Sequence, residues 1–159
     1  MNRKFAGALA ALIVLAVPRI ANAADFFLMD IDTETDKEDP TATVLDPASI
    51  VVESDGSRTF RFAIVHDVGE ISDFTMEADC SALRWRQTHS SHTSMLGEVT
   101  ENDTPDDWET LQDGTNGAYM HKTVCDYPSN QPTGDQVYQA SDYQTAIKEI
   151  SDRLTDMAD

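Results

Sequence analysis

The chain contains only two cysteines, Cys80 and Cys125, and this pair constrains its fold more than any other feature. A single pair of cysteines in an exported protein is expected to form one disulfide, because such proteins mature under oxidising conditions. The two residues are 45 positions apart. Closing a loop of that length removes entropy from the unfolded chain and stabilises the fold by about 4 kcal/mol.

Export is predicted from residues 1–23, which have the three parts of a signal peptide. Arg3 and Lys4 form a positive start, and a largely apolar run extends from Phe5 to Val17. Ala21-Asn22-Ala23 then gives a small-x-small cleavage signature, so the mature chain is expected to begin at Ala24.

The apolar run of this leader is shorter than the roughly 20 residues that a membrane-spanning helix needs. We therefore expect no membrane insertion after cleavage. No cysteine lies near the cleavage site, so no lipid anchor is expected either. The predicted localisation is periplasmic or secreted.

The chain is strongly acidic, with 11 Lys and Arg residues against 29 Asp and Glu residues and a formal net charge of −18. The leader carries three basic residues and no acid, so the mature chain would carry −18 − 3 = −21. Such a charge disfavours binding to nucleic acid or to an anionic membrane. It favours cationic partners, or high solubility alone.

Residues 46–66 predict a β-hairpin. Ser54-Asp55-Gly56-Ser57 is a turn signal, because Asp-Gly readily adopts the positive φ angles of a tight hairpin turn. In the returning strand, residues 59–66, successive side chains are expected to point to opposite faces of the sheet. One face would carry Phe60, Phe62 and Ile64, and the other Arg61, Ala63 and Val65.

Further strands are predicted on both sides of this hairpin. Residues 24–29 form the first strand, and residues 74–80 form another that bends near Ser81, because Leu83 and Trp85 have the opposite parity. Residues 95–100 and 108–111 predict two short strands, the last anchored by Trp108 and Leu111. The sheet would then have about six strands.

The C-terminal region predicts a linker at residues 128–140, rich in proline and glycine, and an amphipathic helix at residues 141–159. Ser141 or Asp142 would cap this helix. Its apolar stripe would dock on its own domain or on a partner protein, and consists of Tyr143, Ile147, Ile150, Leu154 and Met157. Before the linker, spacing leaves residues 118–125 open between helix and strand.

No metal site is predicted. His89 and His92 lie in a serine-rich stretch expected to be a surface loop, and neither His66 nor His121 supplies a third ligand at a recognisable spacing. The acidic connection at residues 30–40 resembles a calcium loop only superficially. An EF-hand starting at Asp30 needs Gly at its sixth position and Glu at its twelfth, and both are threonine here.

No catalytic or cofactor-binding residue is predicted. The chain has no Gly-x-Ser-x-Gly nucleophile motif, and its many carboxylates make no particular pair informative. Arg84 and Arg86 stand out in an acidic chain. They would either bind an anionic ligand or, as we favour, form salt bridges with nearby acids.

The linear order of these features resembles the surface-adhesin E-like domain of Gram-negative bacteria. The resemblance rests on Asp46-x-x-Ser49-Ile50, the hairpin, Asp79-Cys80 followed by arginines, Trp108, and Val124-Cys125. It extends over Phe26 to Cys125. It implies an α+β fold in which a Cys80–Cys125 disulfide tethers a short helix, residues 118–125, across the antiparallel sheet.

The best-known member of that family is an adhesin that binds host matrix and serum proteins. The resemblance implies that residues 24–127 form an exported, non-enzymatic binding domain for a protein ligand whose identity and binding residues stay open. An alternative prediction from charge is an acidic periplasmic inhibitor of a basic protein such as lysozyme. The sequence leaves the oligomeric state open.

Overall fold

The computed structural model of the chain describes residues 23–32 and 40–158. The predicted signal peptide and most of the acidic connection lie outside these residues. The described part has the predicted α+β class: one antiparallel sheet, two helices and the Cys80–Cys125 disulfide. The sheet has eight strands rather than about six.

Helix α1 lies between β7 and β8 in the chain, and helix α2 follows the last strand. The strands are β1 (Ala24–Asp32), β2 (Thr41–Val52), β3 (Arg58–His66), β4 (Ile71–Asp79), β5 (Arg84–Thr93), β6 (Val99–Asn102), β7 (Glu109–Thr110) and β8 (Val137–Ala140). The helices are α1 (Asn116–Asp126) and α2 (Tyr143–Ala158), with a short 3₁₀ turn at Gly134–Gln136. The strand order is β6-β5-β4-β3-β2-β1-β8, and β7 pairs with β5.

Strand β3 lies near the middle of the sheet and divides its side chains between two hydrophobic clusters. Phe60 and Phe62 belong to the cluster under α1, with Ile64 packed against it. Ala63 and Val65 belong to the cluster under α2. The predicted alternation of this strand is therefore confirmed, and each helix covers one face of the sheet.

Helix α1 is tied to the sheet at both ends. The side chain of Thr115 accepts a hydrogen bond from the Ala118 amide, which caps the N-terminus. At the C-terminus, the Arg58 guanidinium donates to the carbonyls of Val124 and Tyr127, at 2.8 Å and 2.5 Å. A cation at this end of a helix stabilises its unpaired carbonyls.

Helix α2 docks on its own domain. The Asp142 carboxylate caps it by accepting from the Thr145 amide at 2.8 Å. The predicted stripe from Tyr143 to Leu154 is buried against β1, β2 and β3. The side chain of Met157, its last predicted member, lies outside the described residues.

A polar network fixes the start of α2 on the sheet. The Tyr143 hydroxyl donates to Asp73 Oδ1 at 2.6 Å. The guanidinium of Arg61 lies 3.8 Å from the centre of the Tyr143 ring and donates to Asp46 Oδ2 at 2.8 Å. Asp46 is itself buried. Burial and the Asp73 hydrogen bond raise the pKa of Tyr143, so its hydroxyl stays a donor.

Two strands were not predicted. The sequence of strand β5 is polar and shows no regular alternation of apolar residues. Much of the strand lies near the edge of the sheet, and none of its side chains is fully buried. The bend predicted near Ser81 is instead a hairpin turn between β4 and β5, which returns Trp85 to the face of Ala78. Strand β8 lies inside the stretch predicted as a linker and pairs with β1, more than 100 positions away.

We predict that Tyr143→Phe lowers the free energy of unfolding by about 2 kcal/mol, because the partly buried Asp73 carboxylate loses a hydrogen-bond donor. Urea denaturation monitored by circular dichroism measures this change. Tyr119→Phe is the matched control, since the Tyr119 hydroxyl is exposed and lies 3.5 Å from Gln136. Equal losses in the two variants would contradict the proposed role of the network.

We predict that Cys80→Ser/Cys125→Ser lowers the free energy of unfolding by about 4 kcal/mol, because the unfolded chain gains the entropy of the open loop. Denaturation of both proteins in the same buffer measures the difference. If the loss were below about 1 kcal/mol, contacts of α1 alone would hold that helix on the sheet.

Candidate protein-binding edge

The turn between β4 and β5 is organised by one carboxylate. Asp79 Oδ1 accepts from the Ser81 amide at 2.9 Å and from the Ser81 hydroxyl at 2.6 Å. Asp79 Oδ2 accepts from two nitrogens of Arg84, at 2.9 Å and 2.7 Å. Hydrogen bonds from Ser81 and Arg84 lower the pKa of Asp79 from 3.8 to about 2. The turn therefore holds Cys80 where it can reach α1.

A groove of about 530 Å³ lies beside the disulfide, between this turn and α1. His121 is buried next to it, with Nε2 3.1 Å from the Asp79 carbonyl and both ring nitrogens 3.9 Å from Cys125 Sγ. Because Cys125 Sγ is bonded to Cys80, Cys125 is not a thiolate nucleophile and His121 does not act as its general base. We assign no chemistry to the groove.

Arg84 and Arg86 both lie over the indole ring of Trp108. Their guanidinium carbons lie 4.9 Å and 4.8 Å from the centre of Trp108. Arg84 pairs with Asp79 at 2.7 Å, and Arg86 pairs with Glu77 at 2.6 Å. The preferred prediction of local salt bridges is confirmed, and the charges of both arginines are already matched.

The chain from β5 to α1 forms an edge of the sheet that is exposed and acidic; we call residues 94–113 the acidic edge. No Lys or Arg occurs between Arg86 and Lys122. All carboxylates in this part of the chain are exposed: Glu98, Glu101, Asp103, Asp106, Asp107, Glu109 and Asp113. Strands β6 and β7 hold this edge against β5.

The tip of the acidic edge is apolar. Met95 is 63% exposed and Leu96 is 87% exposed. The turn that carries them is closed by hydrogen bonds between Ser94 and Glu98, in which each amide donates to the other residue. Gly97 has a φ of 77°, which few other residues adopt readily. The two apolar side chains are thus presented to solvent by an ordered turn.

A small cavity of about 180 Å³ opens beside the acidic edge on the α1 side of the sheet; we call it the aromatic pocket. Its walls include Phe62, Phe74 and Trp85 from three successive strands. The ring centres of Phe62 and Phe74 are 5.0 Å apart, and those of Phe62 and Trp85 are 6.5 Å apart. The acidic residues at the pocket are Asp106, Asp107 and Glu109.

The four histidines do not form a cluster. His89 and His92 lie in β5 rather than in a loop, and their odd spacing puts them on opposite faces of the sheet. His89 contacts Asp103 at 2.7 Å, and His92 contacts the Ser72 hydroxyl at 3.1 Å. Within residues 23–32 and 40–158, no group of three or more metal-ligating side chains is found.

No protein-family model, curated protein or solved structure matches the chain. The resemblance to the surface-adhesin E-like domain therefore stays a prediction. No helix among the described residues is long and apolar enough to cross a membrane. The disulfide is typical of a protein that matures in an oxidising compartment.

We predict that wild-type stability falls more steeply than that of Asp79→Asn as pH drops from 3.8 to about 2. The folded-state pKa of Asp79 is depressed, so its contribution is present above pH 3.8 and is lost as pH falls through about 2. Hydrogen bonds also lower the pKa of Asp55 and Asp142, but these groups are the same in both proteins.

Thermal denaturation at closely spaced pH values measures both curves. Asp135→Asn is the control, because it removes one exposed carboxylate beside β8, which is four strands away from β4 in the sheet order. Parallel curves for wild type and Asp79→Asn would show that the turn does not depend on the ionised carboxylate.

Proposed function

We propose that this chain is an exported, non-enzymatic binding domain that captures a basic protein through its acidic edge. The observation that carries the proposal is the run of exposed carboxylates between Arg86 and Lys122, with no cation among them. Elsewhere on the sheet, Arg61, Arg84 and Arg86 pair with carboxylates. The acidic edge keeps most of its charge available to a partner.

The unpaired negative charge of the acidic edge acts mainly on the rate at which a partner protein associates. It attracts a partner of opposite charge over a distance of about 10 Å at ordinary ionic strength and raises the association rate. It also discriminates against acidic partners, because like charges brought together at an interface cost free energy. A basic protein is the partner that this edge favours.

The apolar tip supports a protein partner over a small cation. Protein interfaces combine a desolvated apolar centre, in which methionine is enriched, with a polar rim. Met95 and Leu96 are the most exposed large apolar side chains at this edge, and Glu98 and Glu101 follow them directly. The apolar tip and the surrounding carboxylates together resemble an interface with an apolar centre and a polar rim.

The partner's class follows from two separate lines of reasoning. The resemblance to the adhesin family favours a host matrix or serum protein, and the acidity favours a basic enzyme such as lysozyme, for which the chain would be an inhibitor. The predicted signal peptide and the disulfide support a periplasmic or secreted location, in which either partner is encountered.

We predict saturable binding of residues 24–159 to a basic member of a panel of matrix proteins and lysozymes on a biosensor. Raising the salt concentration should slow association, because the attraction is electrostatic. Removing three carboxylates of the edge should slow association about tenfold at low salt. The variant is Glu98→Gln/Glu101→Gln/Asp103→Asn.

A control variant removes three exposed carboxylates outside the edge and should bind at nearly the wild-type rate: Asp126→Asn/Asp135→Asn/Asp156→Asn. Equal slowing in both triple variants would mean that net charge alone, and not the edge, drives capture. Loss of lysozyme activity on binding would assign the chain as an inhibitor. Absence of binding to every basic protein in the panel would reject the proposal.

A further inference from the structure

We infer that the aromatic pocket receives the cationic end of one arginine or lysine side chain of the partner. This inference rests on the proposed function and adds the anchor by which a basic protein is held. It is carried by the ring geometry, by the carboxylates at the pocket and by the way in which this chain holds its own arginines.

Three of the chain's own guanidinium groups each contact one aromatic ring and one carboxylate. Arg61 lies over Tyr143 and pairs with Asp46. Arg84 and Arg86 both lie over Trp108, and each pairs with its own carboxylate. In this chain, therefore, an aromatic face beside a carboxylate repeatedly selects a guanidinium group.

The aromatic pocket also combines aromatic rings with carboxylates, and the one cation in its wall, Arg86, is already paired with Glu77. The ring planes of Phe62 and Trp85 differ by only 14°, and those of Phe62 and Phe74 by 23°, so the pocket presents a row of nearly parallel rings. A cation placed over the face of a phenyl or indole ring is attracted by the π-electrons of that ring. Phe74 and Trp85 are only partly buried, which leaves ring surface accessible.

The carboxylates at the pocket are available. Asp106 and Asp107 are exposed, and neither side chain forms an ion pair or hydrogen bond within the part of the chain that the structure describes. Glu109 accepts only a long hydrogen bond of 3.3 Å from the Trp85 indole. Arg86 contributes to the wall, but its guanidinium is already paired with Glu77.

The size of the pocket favours a side chain over a free ligand. Its volume of about 180 Å³ is below the roughly 300–1,000 Å³ of sites that enclose a whole small molecule. The end of one arginine or lysine side chain needs only a shallow site of this kind. Other contacts of the partner would then lie along the acidic edge and its apolar tip.

The test titrates ¹⁵N-labelled residues 24–159 with n-propylguanidinium, a probe that carries the end of an arginine side chain without the rest of a protein. The two indole NH signals report the two sites separately. We expect a saturable shift of the Trp85 indole signal and little change at Trp108, whose ring is already covered by two arginines. The neutral analogue n-propylurea should shift Trp85 much less.

Asp106→Asn/Asp107→Asn should weaken the affinity for n-propylguanidinium about fivefold, because two charges near the bound cation are lost. The matched control is Glu98→Gln/Glu101→Gln, which removes two exposed carboxylates of the same edge that do not line the pocket. It should leave the affinity almost unchanged. Equal weakening in both variants, equal shifts at both indoles, or an equal response to n-propylurea would overturn the inference.

These outcomes are separable from those of the biosensor panel. The small probe binds or fails to bind whether or not a partner protein has been found. A basic protein that binds the acidic edge with the same affinity in wild type and in Asp106→Asn/Asp107→Asn would leave the proposed function intact and reject the pocket as its anchor.

Discussion

The burial of β3 on both of its faces is the constraint on which the rest of the structure depends. Phe60 and Val65 are among the most deeply buried side chains, and they belong to opposite clusters. A strand that is apolar on both faces cannot lie at a solvent-exposed surface, so each face needs its own covering helix. Helices α1 and α2 supply the two covers, and their positions follow from this requirement.

The two helices are held by different means. Helix α2 is long, has a wide apolar stripe, and adds the Tyr143 network at its first turn. Helix α1 is shorter and relies on Arg58, the disulfide and a close approach to β5. A Cβ at Gly117 would lie 3.2 Å from the Trp85 ring. Helix α1 contacts the Trp85 ring, yet Phe74 and Trp85 are both only partly buried.

The open rings and the acidic edge meet for a topological reason. Strand β5 turns Trp85 toward the α1 face, and its partner β7 continues from the acidic segment that contains Asp106 and Asp107. The guanidinium groups of the two β5 arginines lie over Trp108 and pair with two carboxylates. Strand β5 therefore carries two arginines that are paired with carboxylates and lies beside two aspartates, Asp106 and Asp107, that are not paired with a cation in the described part of the chain.

The sequence by itself determined the local features of this protein. The Asp-Gly hairpin, the two faces of β3, the stripe of α2 and the single disulfide depend on spacing and composition, which are visible along the chain. Only the tertiary structure decided the rest. The polar residues of β5 carry no period, β8 pairs with a strand more than 100 positions away, and the aromatic pocket joins side chains from three strands. These features depend on long-range pairing and register, which local sequence patterns do not encode.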